Sequence, residues 1–360
     1  MKHLFALAFT LPLLVSVGSA SPGVGGSRTL ATRAPIGAIA ADGKRAALVV
    51  RVGCRAAVGV CSTTEHLCAV VSVWEPVRGR ESRIEHTCPS DFVPSTGGIA
   101  LAGKRVGWLQ SFYGTTDTET IVKTATLVRP KPVTVAYALG GAYGRYGDAA
   151  LAPVGDGGLL AFTVERRCAG EGEDGPPCPT GRKPGDVIAA TIWRVPGRGR
   201  CPADSVVRRC ARVAKADGEL TVLAVDVGRI VARTEDGVSL LTSNGVHVRD
   251  FPVAKVRAGA LSGSRLALRV QGAVQIYDTG SGELVKSLPM RLDRLEDIEH
   301  GILVTATKRT VTLRRLSDGH TARIHTNAIP HAQLEPSGLF VAAGHHVTFT
   351  PTADILRRLG

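Results

Sequence analysis

Short apolar runs alternate with glycine-containing turns along almost the whole chain. One element, a turn followed by an apolar strand, occurs seven times. Its copies are ADGKRAALVV (41–50), LAGKRVGWLQ (101–110), VGDGGLLAFTV (154–164), DVGRIVAR (226–233), LSGSRLALRV (261–270), EHGILVTAT (299–307) and PSGLFVAAG (336–344). Each copy has glycine where two strands meet, because glycine reaches positive φ without strain. The pattern therefore predicts seven β-hairpins.

A second element follows each hairpin at a variable distance. It alternates a small or β-branched residue with a polar one and an apolar one, as a strand with two different faces does. Its seven copies lie at 71–74, 124–127, 190–193, 238–241, 274–277, 311–314 and 347–350. The turn glycines Gly228, Gly263, Gly301 and Gly338 are 35, 38 and 37 residues apart. A unit of roughly 40 residues with four short strands is typical of a propeller blade.

The predicted fold class is therefore all-β: a seven-bladed β-propeller of four-stranded antiparallel blades. Radial blades leave only short, protected sheet edges. We expect a signal peptide at 1–20, an N-terminal linker at 21–35 and the propeller at 36–360. The predicted blades are approximately 36–90, 96–138, 148–214, 220–254, 257–290, 293–326 and 329–360.

One repeat carries a resemblance to known propellers. VQIYDTGSGELVKSLP (274–289) looks like the third strand, turn and fourth strand of a WD40-like or PQQ-like blade, and VTLRRLSDGHTARI (311–324) is a weaker copy. The Gly-His and Trp-Asp dipeptides of true WD40 blades do not recur. The chain thus resembles a divergent bacterial secreted β-propeller, and the resemblance assigns no functional residue.

The first twenty residues, MKHLFALAFTLPLLVSVGSA, have the pattern of a secretory signal peptide. Lys2 and His3 form a basic start, and Gly18 and Ala20 put small side chains before a cut after Ala20. The alternative is a transmembrane anchor, but the apolar run is shorter than the roughly 20 residues that span a bilayer, and Pro12 interrupts it. We predict a secreted or cell-envelope protein without a transmembrane anchor after cleavage.

The chain has eight cysteines, and an exported chain is expected to form disulfides. Eight cysteines allow roughly a hundred connectivities. Local spacing favours Cys54–Cys61, Cys68–Cys88, Cys168–Cys178 and Cys201–Cys210. A zinc site is the alternative, although no C-x2-C spacing is present.

The net charge of +13 comes mainly from arginine. Such a charge attracts anionic polymers, but no polybasic run or nucleic-acid motif occurs. The partners that we predict are a protein or an anionic cell-envelope polymer, with no nucleic acid. We expect the protein itself to be a monomer.

The chain has few candidate catalytic motifs. No G-x-S-x-G elbow is present, and ADGK, GDGG and EDGV are predicted to be ordinary Asp-Gly turns. Innermost strands of a propeller line its central channel. A Ca²⁺ ion held there is the alternative prediction, with otherwise no cofactor, because calcium takes several oxygen ligands. The candidate metal ligands are Asp226, Asp297, Glu299, His331 and Glu335.

Insertions separate the second and third strands of the first three blades, at about 52–67, 112–120 and 166–187. They leave the same face as the connection 136–148 between blades two and three. Tyrosine and arginine are enriched in binding hot spots. The predicted loop-face ligand-binding residues are Tyr113, Tyr137, Tyr143, Arg145, Tyr146, Arg166 and Arg167. We therefore predict a non-enzymatic binding or scaffold module, the alternative being a metal-dependent propeller hydrolase or lyase.

Overall fold

A computed structural model describes residues 26–53, 67–88, 93–113, 116–141, 144–202, 208–290 and 293–360 of the chain. The predicted signal peptide and the Cys54–Cys61 pair lie outside these ranges. The described residues form antiparallel sheets, apart from a short 3-10 helix at Pro76–Arg78 and one C-terminal helix, α1 (Thr352–Arg358). No helix in this part of the chain is long and apolar enough to cross a membrane.

The chain begins with a short strand, β1 (Arg28–Ala31), and then forms a four-stranded sheet. That sheet contains β2 (Ile36–Asp42), β3 (Arg45–Gly53), β4 (Leu67–Glu75) and β5 (Arg80–Thr87).

A nine-stranded sheet follows and contains the second and third predicted blades. Its strands are β6 (Val93–Ala102), β7 (Arg105–Tyr113), β8 (Asp117–Thr126), β9 (Val133–Gly141), β10 (Gly147–Ala150), β11 (Val154–Asp156), β12 (Leu159–Arg167), β13 (Val187–Gly199) and β14 (Cys210–Ala216).

Three further four-stranded sheets each use consecutive strands. They are β15 (Leu220–Asp226), β16 (Arg229–Thr234), β17 (Gly237–Thr242) and β18 (His247–Phe251); β19 (Ala258–Ser262), β20 (Arg265–Val270), β21 (Ala273–Asp278) and β22 (Leu284–Pro289); and β23 (Arg294–Glu299), β24 (Ile302–Ala306), β25 (Thr310–Arg315) and β26 (Thr321–His325).

The last sheet joins the two ends of the chain. It consists of β27 (Pro330–Glu335), β28 (Gly338–Ala343), β29 (His346–Pro351) and, as its outer strand, β1. The register pairs Arg28 with Phe349 and Ala31 with His346. Part of the predicted linker at 21–35 is thus a strand of the C-terminal sheet, and its pairing ties the N-terminal segment to the C-terminal repeat.

The sheets pack side by side around a common centre. The first strand of each repeat contacts its counterpart in the next repeat, in the order β2, β6, β11, β15, β19, β23, β27 and back to β2. Second strands are enclosed between neighbouring sheets, so every residue of β24 and β28 is buried. That enclosure explains the near-continuous apolar runs, because alternation is lost when both faces of a strand are covered.

One short strand joins the sheets of the second and third predicted blades. The short strand β10 pairs with both β9 and β12 and joins them into one sheet. Glycine permits this junction, because a Cβ on Gly147 would lie 2.9 Å from the Cα of Gly140.

Apolar clusters fill the spaces between neighbouring sheets. At the junction of the first and last repeats, Trp74 packs edge-on against Phe340, with 6.3 Å between ring centroids, and Phe340 also contacts Phe349 at 4.8 Å. Phe340 is fully buried. This aromatic group lies where the ring of sheets closes.

Candidate functional site

A ring of acidic side chains surrounds one mouth of the central cavity. The ring occupies a single repeated position, the last residue of each first strand. Five of the seven residues at this position are acidic. In chain order the seven are Asp42, Ala102, Asp156, Asp226, Ser262, Glu299 and Glu335. The cavity that they enter has a volume of about 750 Å³, and Glu296 and Asp297 also line it.

Several of these carboxylates hold neighbouring repeats together. The backbone N–H of Gly103 donates to Asp42 at 2.5 Å, that of Gly263 to Asp226 at 2.9 Å, and that of Gly43 to Glu335 at 2.8 Å. In each case the donor belongs to the turn of the next repeat around the ring. The acidic position therefore has a structural role before any ligand is considered.

The concentration of carboxylates disfavours their charged forms. Burial raises the pKa of Asp297 to about 8 and that of Glu335 to about 9, and neighbouring carboxylates add to both shifts. Burial and the charges of Asp42 and Asp226 raise the pKa of Asp156 to about 6. Backbone hydrogen bonds oppose these shifts without cancelling them. A cation in this cavity would favour the ionised carboxylates.

Three members of the ring converge most closely. One carboxylate oxygen from each of Asp42, Asp156 and Glu335 lies within 4.8 Å of the others. This all-oxygen set fits calcium, which takes six to eight oxygen ligands at about 2.3–2.6 Å. Only a modest inward movement of the side chains would bring the three oxygens to such distances.

Of the five metal ligands predicted from the sequence, Glu335 alone belongs to this cluster. Asp226 lines the cavity but is paired with Arg229, and Glu299 contacts His300 at 2.6 Å. Asp297 accepts hydrogen bonds from the backbone of Ile298 and Leu334.

The ring of His331 lies farther along β27, with Nδ1 3.8 Å from Glu296. Asp42 and Asp156 were missed because their Asp-Gly turns look ordinary. An alignment of the residue before each turn would have found them.

The predicted loop face is built around the disulfide-linked loop between β12 and β13. Cys168 is joined to Cys178, and the backbone N–H of Gly185 donates to Cys168 O at 2.9 Å. The ring of Tyr146 lies over Gly141 and against Gly175, since a Cβ on Gly175 would be 2.9 Å from the ring. Tyr146 thus connects this loop to the segment between β9 and β10.

Ion pairs fix other predicted residues of this face. Arg166 makes two hydrogen bonds to Asp148, at 2.6 and 3.0 Å. Arg167 pairs with Glu165.

Tyr137 donates to Glu119 at 3.0 Å, and Arg145 is exposed. Tyr143 and the side chain of Tyr113 lie outside the described part of the structure. The described residues therefore place Arg145, Tyr146 and Arg166 near the Cys168–Cys178 loop, as a candidate binding face.

The acidic ring and the loop face lie at opposite ends of the strands. The ring includes Asp156, which precedes β12, and the loop face follows Arg167 at the far end of β12. The nine residues of β12 make eight steps of about 3.4 Å, which separate these ends by about 27 Å. A ligand at one end does not touch the other.

Two further predicted disulfides lie in the first and third repeats. Cys68 is joined to Cys88 across β4 and β5, and Cys201 is joined to Cys210 at the start of β14. Three of the four predicted pairs are thus present among the described residues. Such bonds are typical of extracytoplasmic proteins.

Comparisons with known proteins identify the fold. The β-propeller domain of the trilobed protease from Pyrococcus furiosus has a TM-score of 0.53 and 9% identity, covering 89% of this chain and 94% of that domain. An acylaminoacyl peptidase of Pyrococcus horikoshii has a TM-score of 0.51 and 11% identity, covering 90% of this chain and 54% of the peptidase. This chain therefore spans about half the length of that peptidase.

Sqt1 from Saccharomyces cerevisiae has a lower TM-score of 0.44, with 10% identity over 89% of this chain and 96% of Sqt1. No family profile and no curated protein sequence matches the chain. At 9% identity the trilobed-protease domain bears on the fold alone, and it supports the assignment of this chain as a divergent β-propeller.

Proposed function

We propose that this protein is an exported, seven-bladed, WD40-like propeller that binds a partner protein or an envelope polysaccharide through its loop face. Each first strand contacts the first strand of the next repeat, and the series passes through seven repeats before it returns to β2, which supports seven blades. Three disulfides support an extracytoplasmic location. The signal-peptide pattern of residues 1–20 is consistent with that location.

The observation that carries the proposal is the loop between Cys168 and Asp186. Residues 171–175 and 179–181 are exposed, yet the disulfide and local hydrogen bonds hold the loop in place. Glu173 accepts a hydrogen bond from the backbone N–H of Gly170, and Asp186 accepts one from that of Lys183. Holding a loop in one conformation before binding reduces the entropy lost on association.

The test uses immobilised protein and the envelope fraction of the source cells. We expect wild type to retain a specific protein or polysaccharide, and the double variant Arg145→Ala, Arg166→Ala to lose most of that retention. A control with Arg309→Ala and Arg323→Ala changes two exposed arginines elsewhere in the propeller. Equal retention by both variants and wild type would refute recognition by the loop face.

The geometry of the channel supports a second candidate function, a calcium-dependent hydrolase or lyase. Asp42, Asp156 and Glu335 would hold the ion at the cavity mouth, where it would polarise a bound water or substrate oxygen. Glu296 also lines the cavity, and Nδ1 of His331 lies 3.8 Å from its carboxylate.

Calcium titration by calorimetry tests this candidate directly. We expect wild type to bind one Ca²⁺ and Asp156→Asn to bind it at least about tenfold more weakly, whereas the exposed Glu81→Gln control binds normally. Absence of calcium binding in wild type, or equal binding by Asp156→Asn, would exclude this site.

A further inference from the structure

A groove of about 660 Å³ runs along the outer edge of the third repeat, where β13 pairs with β14. The register jumps from the pair Arg194–Ala211 to the pair Gly199–Cys210, so residues 195–198 bulge out of the ladder. Gly197 rests on the opposite backbone, because a Cβ there would lie 2.1 Å from the carbonyl carbon of Cys210. The Cys201–Cys210 disulfide closes the hairpin. The groove is therefore a constrained surface feature.

Arginine dominates the lining of this groove. Its lining side chains include Trp193, Arg194, Arg198, Arg200 and Arg212, and none of the described lining residues is acidic. Between residues 194 and 215 the sequence has seven basic residues and a single acid, Asp204. Within this segment, the exposed arginines that form no ion pair among the described residues are Arg198, Arg200, Arg208, Arg209 and Arg212.

The positive surface extends towards the second repeat. Burial and the nearby charge of Arg209 lower the pKa of Arg105, which stands at the start of β7. Two guanidinium groups from different repeats therefore repel one another. An anion bound here would relieve that repulsion.

Trp193 indicates what kind of anion the groove accepts. The other two tryptophans, Trp74 and Trp108, are buried in the core, whereas Trp193 is half-buried and lines the groove. An aromatic face packs against the apolar face of a sugar ring, and guanidinium groups pair in a bidentate manner with carboxylate, sulfate or phosphate. Both features occur together along one edge.

We propose that this groove binds an acidic polysaccharide, with a sugar ring on Trp193 and its acidic groups paired with Arg198, Arg200 and Arg212. A nucleic acid is the less suitable polyanion, because a single aromatic side chain offers no platform for successive bases. The groove lies at the strand ends opposite the loop face, so the proposal stands independently of the proposed function.

The test compares two triple variants that remove the same charge. Arg198→Gln, Arg200→Gln and Arg212→Gln alter the groove, whereas Arg257→Gln, Arg309→Gln and Arg323→Gln remove three exposed arginines on other repeats. The probes are polygalacturonate, dextran sulfate, uncharged dextran and a short DNA duplex, each titrated at low salt. A ligand in the groove should change the fluorescence of Trp193 directly, because the other two tryptophans are buried away from it.

We expect an acidic polysaccharide to quench the fluorescence of wild type and the groove variant to bind it about tenfold more weakly. The control variant should bind within about twofold of wild type. Equal weakening of both variants would show attraction by net charge alone and overturn the proposal. Tighter binding of DNA than of both acidic polysaccharides, or equal binding of uncharged dextran, would overturn it as well.

Discussion

Replacing Glu335 by glutamine is expected to stabilise the protein at neutral and higher pH. Burial and neighbouring carboxylates raise the pKa of Glu335 to about 9, from 4.5 in the unfolded chain. Between these pH values the folded state holds a proton that the unfolded state has released. The free energy of unfolding therefore falls as the pH rises through this window.

The size of the effect follows from the same shift. A pH of 7.5 lies about three units above the pKa of Glu335 in the unfolded chain. At about 1.36 kcal/mol per unit, the free energy of unfolding has fallen by about 4 kcal/mol from its low-pH value. Glutamine removes this linkage, and its amide oxygen still accepts the hydrogen bond from the N–H of Gly43. We expect Glu335→Gln to raise the free energy of unfolding by roughly 2–4 kcal/mol at pH 7.5 and to change it little at pH 4.

Urea unfolding measured from pH 4 to pH 9 without calcium checks this prediction. The exposed Glu81→Gln variant is the control, and its stability should follow that of wild type throughout. A Glu335→Gln profile parallel to the wild-type profile would refute the raised pKa. A loss of stability at pH 7.5 would show that the carboxylate is charged and favourably paired.

Three other perturbations test the core, the closure and the loop. Phe340→Ala removes a fully buried ring between Trp74 and Phe349, and should lower the free energy of unfolding by about 3–5 kcal/mol in urea. An unfolding change below about 1 kcal/mol would contradict the packing. Deletion of residues 1–32 removes β1 and leaves the edge of β29 unpaired. Calorimetry should then show a lower melting temperature. An unchanged melting temperature would argue against closure of the ring by β1. Cys178→Ser, made together with Cys168→Ser, should speed proteolysis within the loop and lower the melting temperature. Equal cleavage rates would contradict this role.

The sequence determined the repeating units and much of the disulfide pairing. Glycine turns followed by apolar runs mark the first hairpin of each repeat, because these local patterns follow from backbone sterics and burial. Cysteines close in sequence pair locally, as Cys168–Cys178 and Cys201–Cys210 do. Such features depend on neighbours along the chain, which is why a single sequence reveals them.

Other features exist only in the assembled ring. The four residues of β1 have no pattern that distinguishes them from a linker, and their partner strand lies more than 300 positions away. Asp42, Asp156 and Glu335 are each the last residue of an ordinary strand and become one acidic cluster because the first strands meet at the centre. Likewise, β10 joins two repeats because Gly140 and Gly147 approach closely in space. Long-range strand pairing and the convergence of these charges are set by tertiary geometry, because both bring together residues that lie far apart in the chain.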